Sequence, residues 1–454
     1  MSHTLVLDVG KTHAKVILIN TKGEVLYRQV QKNGSVPTPD YLALDTAGVE
    51  NWLLDLLPQL PGRSDIRKII VTTHGAAFAA IHGTGLALPV MDYEWDGYGA
   101  VREQFIAQAD AFADTGSPDL PLGLNAGLQL YWLRQQFPQA WKQVQAVLPY
   151  AQYWAWWFCE QASTEVSSLG CHTHLWQPIK GQFARWMAQQ HMDSLFPPLR
   201  KAWEVLGPLR PALARKTGLP ADCQVYVGVH DSNACLARHL KVQPNATVVS
   251  TGTWCIVMAN QASAAAAIQG LHPERDQLVN VSVSGQPVPT SRFMAGREFA
   301  YLCAGADPSL ATPAALRELL QQGWSAVPAF AESGGPYRGQ KGSIQRQGQP
   351  VPEGVLAVPL HLRPALASYY CAQVTCDLIQ AVNHGDLADR MVIVEGPFAD
   401  NEAYVSSLQQ LLPQCRLVKS ADALEGTARG AWMLANWEQQ HPQANWYAGL
   451  HGGA

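Results

Sequence analysis

Residues 5–19 read LVLDVGKTHAKVILI, and residues 247–258 read TVVSTGTWCIVM. Each stretch is a β-branched run, a short turn containing Gly and Thr, and a second apolar run. Self-similarity at a wide spacing is the mark of an internal duplication, although strand–Gly-Thr–strand is short enough to arise by chance. Read as a duplication, it predicts an α/β protein of two related domains, each opening on an antiparallel hairpin and facing the other across a cleft.

The pattern continues on both sides of these stretches. Thr21-Lys22-Gly23 leads into Glu24-Val25-Leu26-Tyr27, so the opening reads as an antiparallel meander. Val49, Trp52, Leu53, Leu56 and Leu57 recur at helical spacing, and Leu124, Leu128, Tyr131 and Trp132 mark another helix closed by Phe137-Pro138. Ile69-Ile70-Val71 is a buried-strand candidate. Val225-Tyr226-Val227 is a further strand that ends at Gly228-Val229-His230-Asp231, with a helix expected over 234–240. The polar stretch 238–246 divides the chain into an N-terminal domain, 1–242, and a C-terminal domain, 243–454. The Gly-, Gln- and Pro-rich stretch 333–353 reads as a surface loop, and the chain from about Gln443 as poorly ordered.

Composition narrows the function. The chain has 454 residues, 47% hydrophobic and 15% charged, which is too long for one core and too apolar for disorder. Its formal net charge of −4 gives no reason to expect nucleic acid or an anionic membrane as a partner. No apolar run reaches the ~18 residues a membrane helix needs, and the start lacks the pattern of a secretory signal. The nine cysteines form no CxxC pair. They read as reduced, buried thiols of a cytoplasmic protein.

Six places can carry chemistry. Asp8 ends a buried strand, where a carboxylate must be answered by a cation, a metal or backbone donors; it reads as a Mg²⁺-linked carboxylate acting through water, or as the cap of the following turn. Gly10-Lys11-Thr12 offers backbone N–H groups, an ammonium and a hydroxyl to a phosphate, without being a Walker A loop. Thr251-Gly252-Thr253 offers a similar cradle, and either turn alone also reads as a plain hairpin. Asp231 stands at the carboxyl end of a strand, where α/β proteins bind ligands; it reads as a general base or as a helix N-cap. Val392-Ile393-Val394-Glu395-Gly396-Pro397 runs into Asp400-Asn401. The small residues of Leu424–Ala431 suit the close approach of another helix or of a flat base. No histidine pair has metal-ligand spacing, and the aromatic run Tyr153–Phe158 reads as a packed helix.

The chain resembles the FGGY carbohydrate kinases over nearly its whole length. Asp8-Val9-Gly10-Lys11-Thr12 is similar to that family's first phosphate motif, His230-Asp231 to the position of its catalytic aspartate, and Thr251-Gly252-Thr253-Trp254 to its second phosphate loop. Asn125 to Trp132, Val147-Leu148-Pro149-Tyr150 and Thr164-Glu165-Val166-Ser167 follow the order of its N-terminal domain. Ser250–Trp254, Leu88-Pro89-Val90 followed by Tyr93, and Ser291–Gly296 resemble the rhamnulokinase and fuculokinase branch.

The resemblance implies two actin-like, ribonuclease H-like domains flanking a catalytic cleft. It implies ATP and Mg²⁺ as cofactors and a small sugar as substrate, with a monomer or a homodimer both compatible. Asp231 is then the base, and His74, Gly75 and His230 join it on the sugar. Asp8 serves the metal, and Gly10, Lys11, Thr12, Thr251, Gly252, Thr253, Gly396 and Asn401 serve ATP. The substrate reads as a ketose such as L-rhamnulose or L-fuculose; the alternatives are another ketose or polyol (xylulose, ribulose, glycerol) and an inactive sugar- or nucleotide-binding regulator. Two departures stand out. Glu395-Gly396-Pro397 replaces consecutive glycines, which alters the expected adenine pocket. Thr73-His74-Gly75-Ala76-Ala77-Phe78 has His where related chains carry Trp, and Ala77 where they carry Asp, which bears on substrate choice.

Overall fold

The computed structural model describes residues 2–240, 243, 245–260, 265–331, 334–420 and 426–436. It divides into two units. One comprises Met1–Arg238 with Val279–Pro287 and the segment from Thr427; the other comprises His239–Leu278 and Val288–Gly426. The first division falls inside the polar stretch 238–246. A single cut at 242/243 nevertheless misses two returns of the chain to the first unit. Each return has a packing reason: Val281 is fully buried in a core of that unit, and Gly430 lies against the helix that carries Asp231.

The first unit is built on the strands β1 (His3–Val9), β2 (His13–Ile19), β3 (Val25–Lys32), β4 (Ile66–Thr73), β5 (Val205–Pro208), β6 (Gln224–Tyr226) and the short β7 (Val229–His230). The order is β3-β2-β1-β4-β6-β5, with β7 also on β4. β1, β2 and β3 form the antiparallel meander, and β4 lies parallel to β1. β1 has neighbours on both edges and cover on both faces, so every residue in it is buried, and its middle, Leu5-Val6-Leu7, is a continuous apolar run. β3 is the outer strand and carries Arg28, Gln29, Gln31 and Lys32 in the exposed positions that blunt an edge. Leu5, Leu7, Ile69 and Val71 pack with Val49 and Leu53 of the helix Thr46–Leu56 and with Trp154 and Phe158 of the helix Tyr150–Cys159. That second helix contains the aromatic run and is buried throughout. A separate core around Phe78, Met91, Phe105, Trp132 and Trp186 supports the segments that follow β4.

The second unit repeats the plan with β8 (Thr247–Thr251), β9 (Cys255–Ala259), β10 (Pro287–Phe293), β11 (Met391–Glu395) and β12 (Arg416–Lys419). The order is β10-β9-β8-β11-β12, with Gln277–Val281 outside β10. β8 and β9 form the hairpin, and β11 lies parallel to β8 as β4 does to β1. Each unit therefore has the strand order of the actin-like fold, and the duplication read from residues 5–19 and 247–258 lies at matching places in the two sheets. The long helix Arg363–Val382 packs on this sheet with the helices Ala295–Cys303 and Glu402–Leu411.

The stretch expected to be a loop at 333–353 is partly strand. Ser343–Arg346 pairs with Trp324–Val327 and with Gln349–Pro350, and Ile344 is buried in the core. Gln347 and Gly348 both have positive φ (53° and 77°), the geometry of a two-residue hairpin turn. The segment expected to be poorly ordered from Gln443 lies outside the described residues. Among the described residues, no helix is long and apolar enough to cross a membrane. The cysteines form no disulfide, and all but Cys415 are buried.

Candidate active site

The carboxyl ends of β1, β4 and β7 meet in register. Asp8 stands beside Thr72, which stands beside Val229; one step further on, Val9, Thr73 and His230 align. Ligands of α/β proteins bind at such strand ends. The backbone is steered there by Gly228, whose φ of +88° ends β6 and whose missing Cβ would sit 2.7 Å from the Val71 carbonyl oxygen. Gln152, from the aromatic helix, donates to the carbonyls of Val227 and Gly228 at 3.1 and 3.2 Å and holds the kink from behind.

Asp231 is the first residue of the helix Asp231–Leu240, and its side chain is one-third exposed. Its Oδ1 accepts from the Ser232 N–H at 2.6 Å, from the Ser232 hydroxyl at 3.2 Å, and lies 3.1 Å from His230 Nε2. Asn233 Nδ2 donates to His230 Nδ1 at 3.0 Å, which leaves the His230 proton on Nε2, the nitrogen nearer the carboxylate. Burial holds the His230 pKa below the ordinary imidazole value, so the ring is neutral at pH 7 and orients Asp231 without neutralising it. Both hydrogen bonds, from the Ser232 N–H and hydroxyl, go to Oδ1. Among the described residues, Oδ2 takes no hydrogen bond. Asp231 begins the helix instead of capping it: its side chain accepts from the adjacent Ser232 N–H, whereas a cap takes the second or third helical amide.

Asp8 is 5% exposed, and Lys15 Nζ donates to its Oδ2 at 2.9 Å. Lys15 comes from the cross-strand position directly opposite. Burial pushes the Asp8 pKa up and outweighs the Lys15 ammonium, and the charge of Asp231 pushes it in the same direction. Two carboxylates that sense each other, with Asp8 Oδ1 taking no hydrogen bond among the described residues, suit a hydrated divalent cation. Mg²⁺ is usually held by one or two carboxylates, substrate phosphates and water. No cluster of three metal-ligating side chains occurs among the described residues.

His74 and Gly75 follow β4 directly. His74 Nδ1 donates to the Gly75 carbonyl at 2.8 Å, so Nε2 is an acceptor; it is buried and has no partner. Burial keeps this ring neutral as well. It lies against Tyr93 and Tyr150, with centroids 5.5 and 5.2 Å away. A Cβ on Gly75 would stand 2.9 Å from His230 Nε2 and 3.1 Å from Cys171 Sγ, so only glycine lets these groups close together. His172 and His174 donate to the carbonyls of Leu124 and Pro118.

The turn 10–12 is arranged differently from the expected phosphate cradle. Gly10 closes the hairpin on His13, and its carbonyl accepts from Asn33 at 2.7 Å. Thr12 is exposed, with its hydroxyl 3.1 Å from His13 Nδ1. The Lys11 ammonium does not stand free: it donates to Ser35 and to the buried Asp92 and lies 3.5 Å from Glu94.

In the second unit, Gly252 and Thr253 line a cavity of about 820 Å³ with Gly296, Phe299, Pro397 and Asn401. Its volume suits a nucleotide-sized ligand. Gly296 packs on the turn so closely that a Cβ would be 2.8 Å from the Gly252 carbonyl oxygen. Asn401 also caps the helix Glu402–Leu411, accepting from the Tyr404 N–H at 2.9 Å. Thr251 and Gly396 do not line the cavity; they brace it. The Thr251 hydroxyl donates to the Glu395 carbonyl and accepts from the Phe398 N–H at 3.1 Å. Gly396 has φ +84° and ψ −170°, a conformation essentially restricted to glycine. The Glu395 side chain turns away from the cavity and is buried on His239 at 2.8 Å. The departure Glu395-Gly396-Pro397 therefore leaves the cavity without a carboxylate at 395.

Residues 110–237 match the N-terminal domain of the FGGY family of carbohydrate kinases, and residues 243–443 match the carbohydrate kinase FGGY C-terminal domain. The chain belongs to the FGGY family. The crystal structure of a carbohydrate kinase from Novosphingobium aromaticivorans is 35% identical, with a TM-score of 0.85 over 99% of this chain and 92% of that one. The L-fuculokinase of Escherichia coli K12 is 26% identical over 277 residues, 57% of this FGGY chain and 56% of the relative. The chain thus spans just over half the length of the curated relatives it matches. A ligand-bound xylulose kinase from Lactobacillus acidophilus, 13% identical with a TM-score of 0.77, shares the fold.

Several residues that build the site escaped the sequence reading: Lys15, Asp92, Glu94, Gln152, Cys171, Asn233 and Gly228. Lys15 had a signal, since a lysine seven residues after Asp8 across a tight hairpin sits opposite it. Asp92 and Cys171 had none, being brought in by long-range contacts.

Proposed function

We propose that this FGGY chain transfers the γ-phosphoryl group of ATP to a hydroxyl of a small neutral sugar, with Asp231 as the base. The observation that carries the reading is the asymmetry of Asp231: two donors from Ser232 on Oδ1 fix the carboxylate, with His230 Nε2 3.1 Å away, and Oδ2 keeps a lone pair for the hydroxyl proton. As the sugar oxygen bonds to the γ-phosphorus, the bond to the β–γ bridging oxygen breaks and ADP leaves. The hydroxyl proton passes to Oδ2. The protein's share is placement and charge, as in phosphoryl transfer generally. Mg²⁺, when bound, neutralises the polyphosphate, and Asp8 is the residue that would hold it, through water.

The substrate class follows from the charges. Asp8, Asp92, Glu94 and Asp231 stand against the ammonium groups of Lys11 and Lys15. This excess of carboxylate opposes a sugar acid and favours a neutral ketose or polyol. His74 Nε2, an acceptor without a partner, suits a sugar O–H. The likeness to L-fuculokinase supports a ketose such as L-fuculose or L-rhamnulose, and a polar acceptor in this position makes discrimination among hydroxyl patterns steep. The nucleotide is assigned to the cavity at Gly252, Thr253 and Asn401.

The test is a coupled ADP assay with MgATP and L-fuculose, L-rhamnulose, D-xylulose, D-ribulose, glycerol and D-gluconate. Turnover of a neutral member, with gluconate the poorest, is expected. ADP release that no sugar stimulates would refute the proposal.

A further inference from the structure

Lys11 occupies the turn of the first hairpin, where a phosphate-binding role was expected of it, yet its surroundings point elsewhere. An ammonium has three N–H donors. Here two of them meet Ser35 Oγ at 2.8 Å and Asp92 Oδ2 in a close ion pair, and the half-exposed Glu94 carboxylate lies 3.5 Å away. Ser35 donates to the same Asp92 oxygen, so the three side chains form a closed knot. The Asp92 side chain is fully buried and that of Lys11 is 16% exposed, so the pair is not a loose surface contact. Two carboxylates around one ammonium leave a net negative charge, which repels a polyphosphate.

The knot also reaches the sugar side. Asp92 Oδ1 accepts from the Glu94 N–H at 2.9 Å and so fixes the turn 92–94. Lys11 Nζ stands 5.4 Å from the centroid of Tyr93, the residue between them. The edge of that same ring packs against His74, whose ring senses the charges of Lys11, Asp92 and Asp231 together.

We infer that Lys11 is a positioning residue of the sugar pocket, bracing the turn 92–94 so that Tyr93 holds His74 in place, and is not a ligand of the nucleotide phosphates. The inference deepens the kinase reading and rests on it for the sugar. Its claim about the nucleotide stands separately.

The experiment compares Lys11→Met, Lys11→Arg and the paired variant Lys11→Met/Asp92→Asn with the unaltered protein. Two quantities are read: the Kd for Mg-AMP-PNP without sugar, and kcat/KM for whichever sugar of the panel above is turned over fastest. Lys11→Met strands a buried carboxylate and is expected to fold poorly. The paired variant removes both charges and keeps the test open. For that variant the inference expects an AMP-PNP Kd within about twofold of the original and a sugar kcat/KM at least about tenfold lower, with Lys11→Arg recovering most of the loss. A tenfold weaker AMP-PNP affinity would make Lys11 a phosphate ligand and overturn the inference. An unchanged sugar kcat/KM in a folded paired variant would overturn the brace while leaving the kinase reading intact. If the unaltered protein turns over no sugar, the kinase reading fails, and the AMP-PNP arm still decides the phosphate claim.

Discussion

Gly430→Ala tests whether the base is placed by helix packing. Gly430 lies in the helix Gly426–Ala435, against the helix whose first residue is Asp231. A Cβ at 430 would stand 2.5 Å from the carbonyl carbon of Ala234 and 3.2 Å from its Cα, and closer still to its oxygen. Carbon atoms pack at about 3.5 Å or more, so the Asp231 helix must retreat by about 1 Å. Ala234 is less than one turn from Asp231, roughly 4.5 Å along the axis, so the shift reaches the carboxylate nearly undiminished. A misplacement of about 1 Å at a reacting group costs on the order of 10²-fold, or about 2.7 kcal/mol of barrier. Stability changes less: overpacking costs about 1–3 kcal/mol, and alanine returns about 1 kcal/mol of helix propensity. The assay is kcat by ADP release at saturating sugar and MgATP, with urea unfolding alongside. A folded variant with kcat within about twofold of the original would refute the argument that this contact sets the base.

In the second unit, Gly396→Ala combines a glycine-only backbone conformation with a Cβ 2.7 Å from Thr251 Oγ1. A loss of about 2–5 kcal/mol is expected. It would be read as a lower urea midpoint together with weaker AMP-PNP binding, and an unchanged midpoint would contradict it. Glu165 governs a pH effect. It is fully buried, and burial pushes its pKa from 4.5 to about 7 despite hydrogen bonds from Ser167 and Ser168. Between these values the folded state holds a proton that the unfolded chain has released. Stability therefore falls as pH rises through this window and levels off above it, by on the order of 3 kcal/mol in all. Glu165→Gln should flatten that slope in urea titrations at pH 5, 6, 7 and 8; an equally steep slope would assign the effect to other groups.

Much of the fold is legible in the sequence because β1 and β8 sit at the centre of their sheets. A strand covered on both faces tends to carry a short continuous apolar run, here Leu5-Val6-Leu7 and Val248-Val249, and two such runs, each with a Gly-Thr turn, announce two similar units. The returns of Val279–Pro287 and of the segment from Thr427 are illegible for the opposite reason: a short apolar stretch reads alike whichever core receives it. The hairpin at 343–350 was hidden by its composition, since Gln347-Gly348 is a less familiar turn pair than Asn-Gly. At the site, Asp8 and Asp231 are readable because a carboxylate at the end of a buried strand needs an explanation. The partners that tune them are not. His230 gains its tautomer from Asn233, and Lys11 gains its partners from Ser35 and Asp92, far along the chain. Gly75 was read for the sugar and Gly396 for ATP, whereas both serve the close approach of protein groups, as the stretch with Gly430 was read to allow. A sequence shows that a glycine is needed, but not what comes near it.

The most direct measurement is kcat of Asp231→Asn with its best sugar, beside the Kd for Mg-AMP-PNP. Asparagine keeps the shape and can still accept from Ser232, while its nitrogen replaces the proton acceptor. The account predicts that kcat drops by about 10²–10⁴-fold with nucleotide affinity unchanged. Near-original turnover by the variant would contradict it.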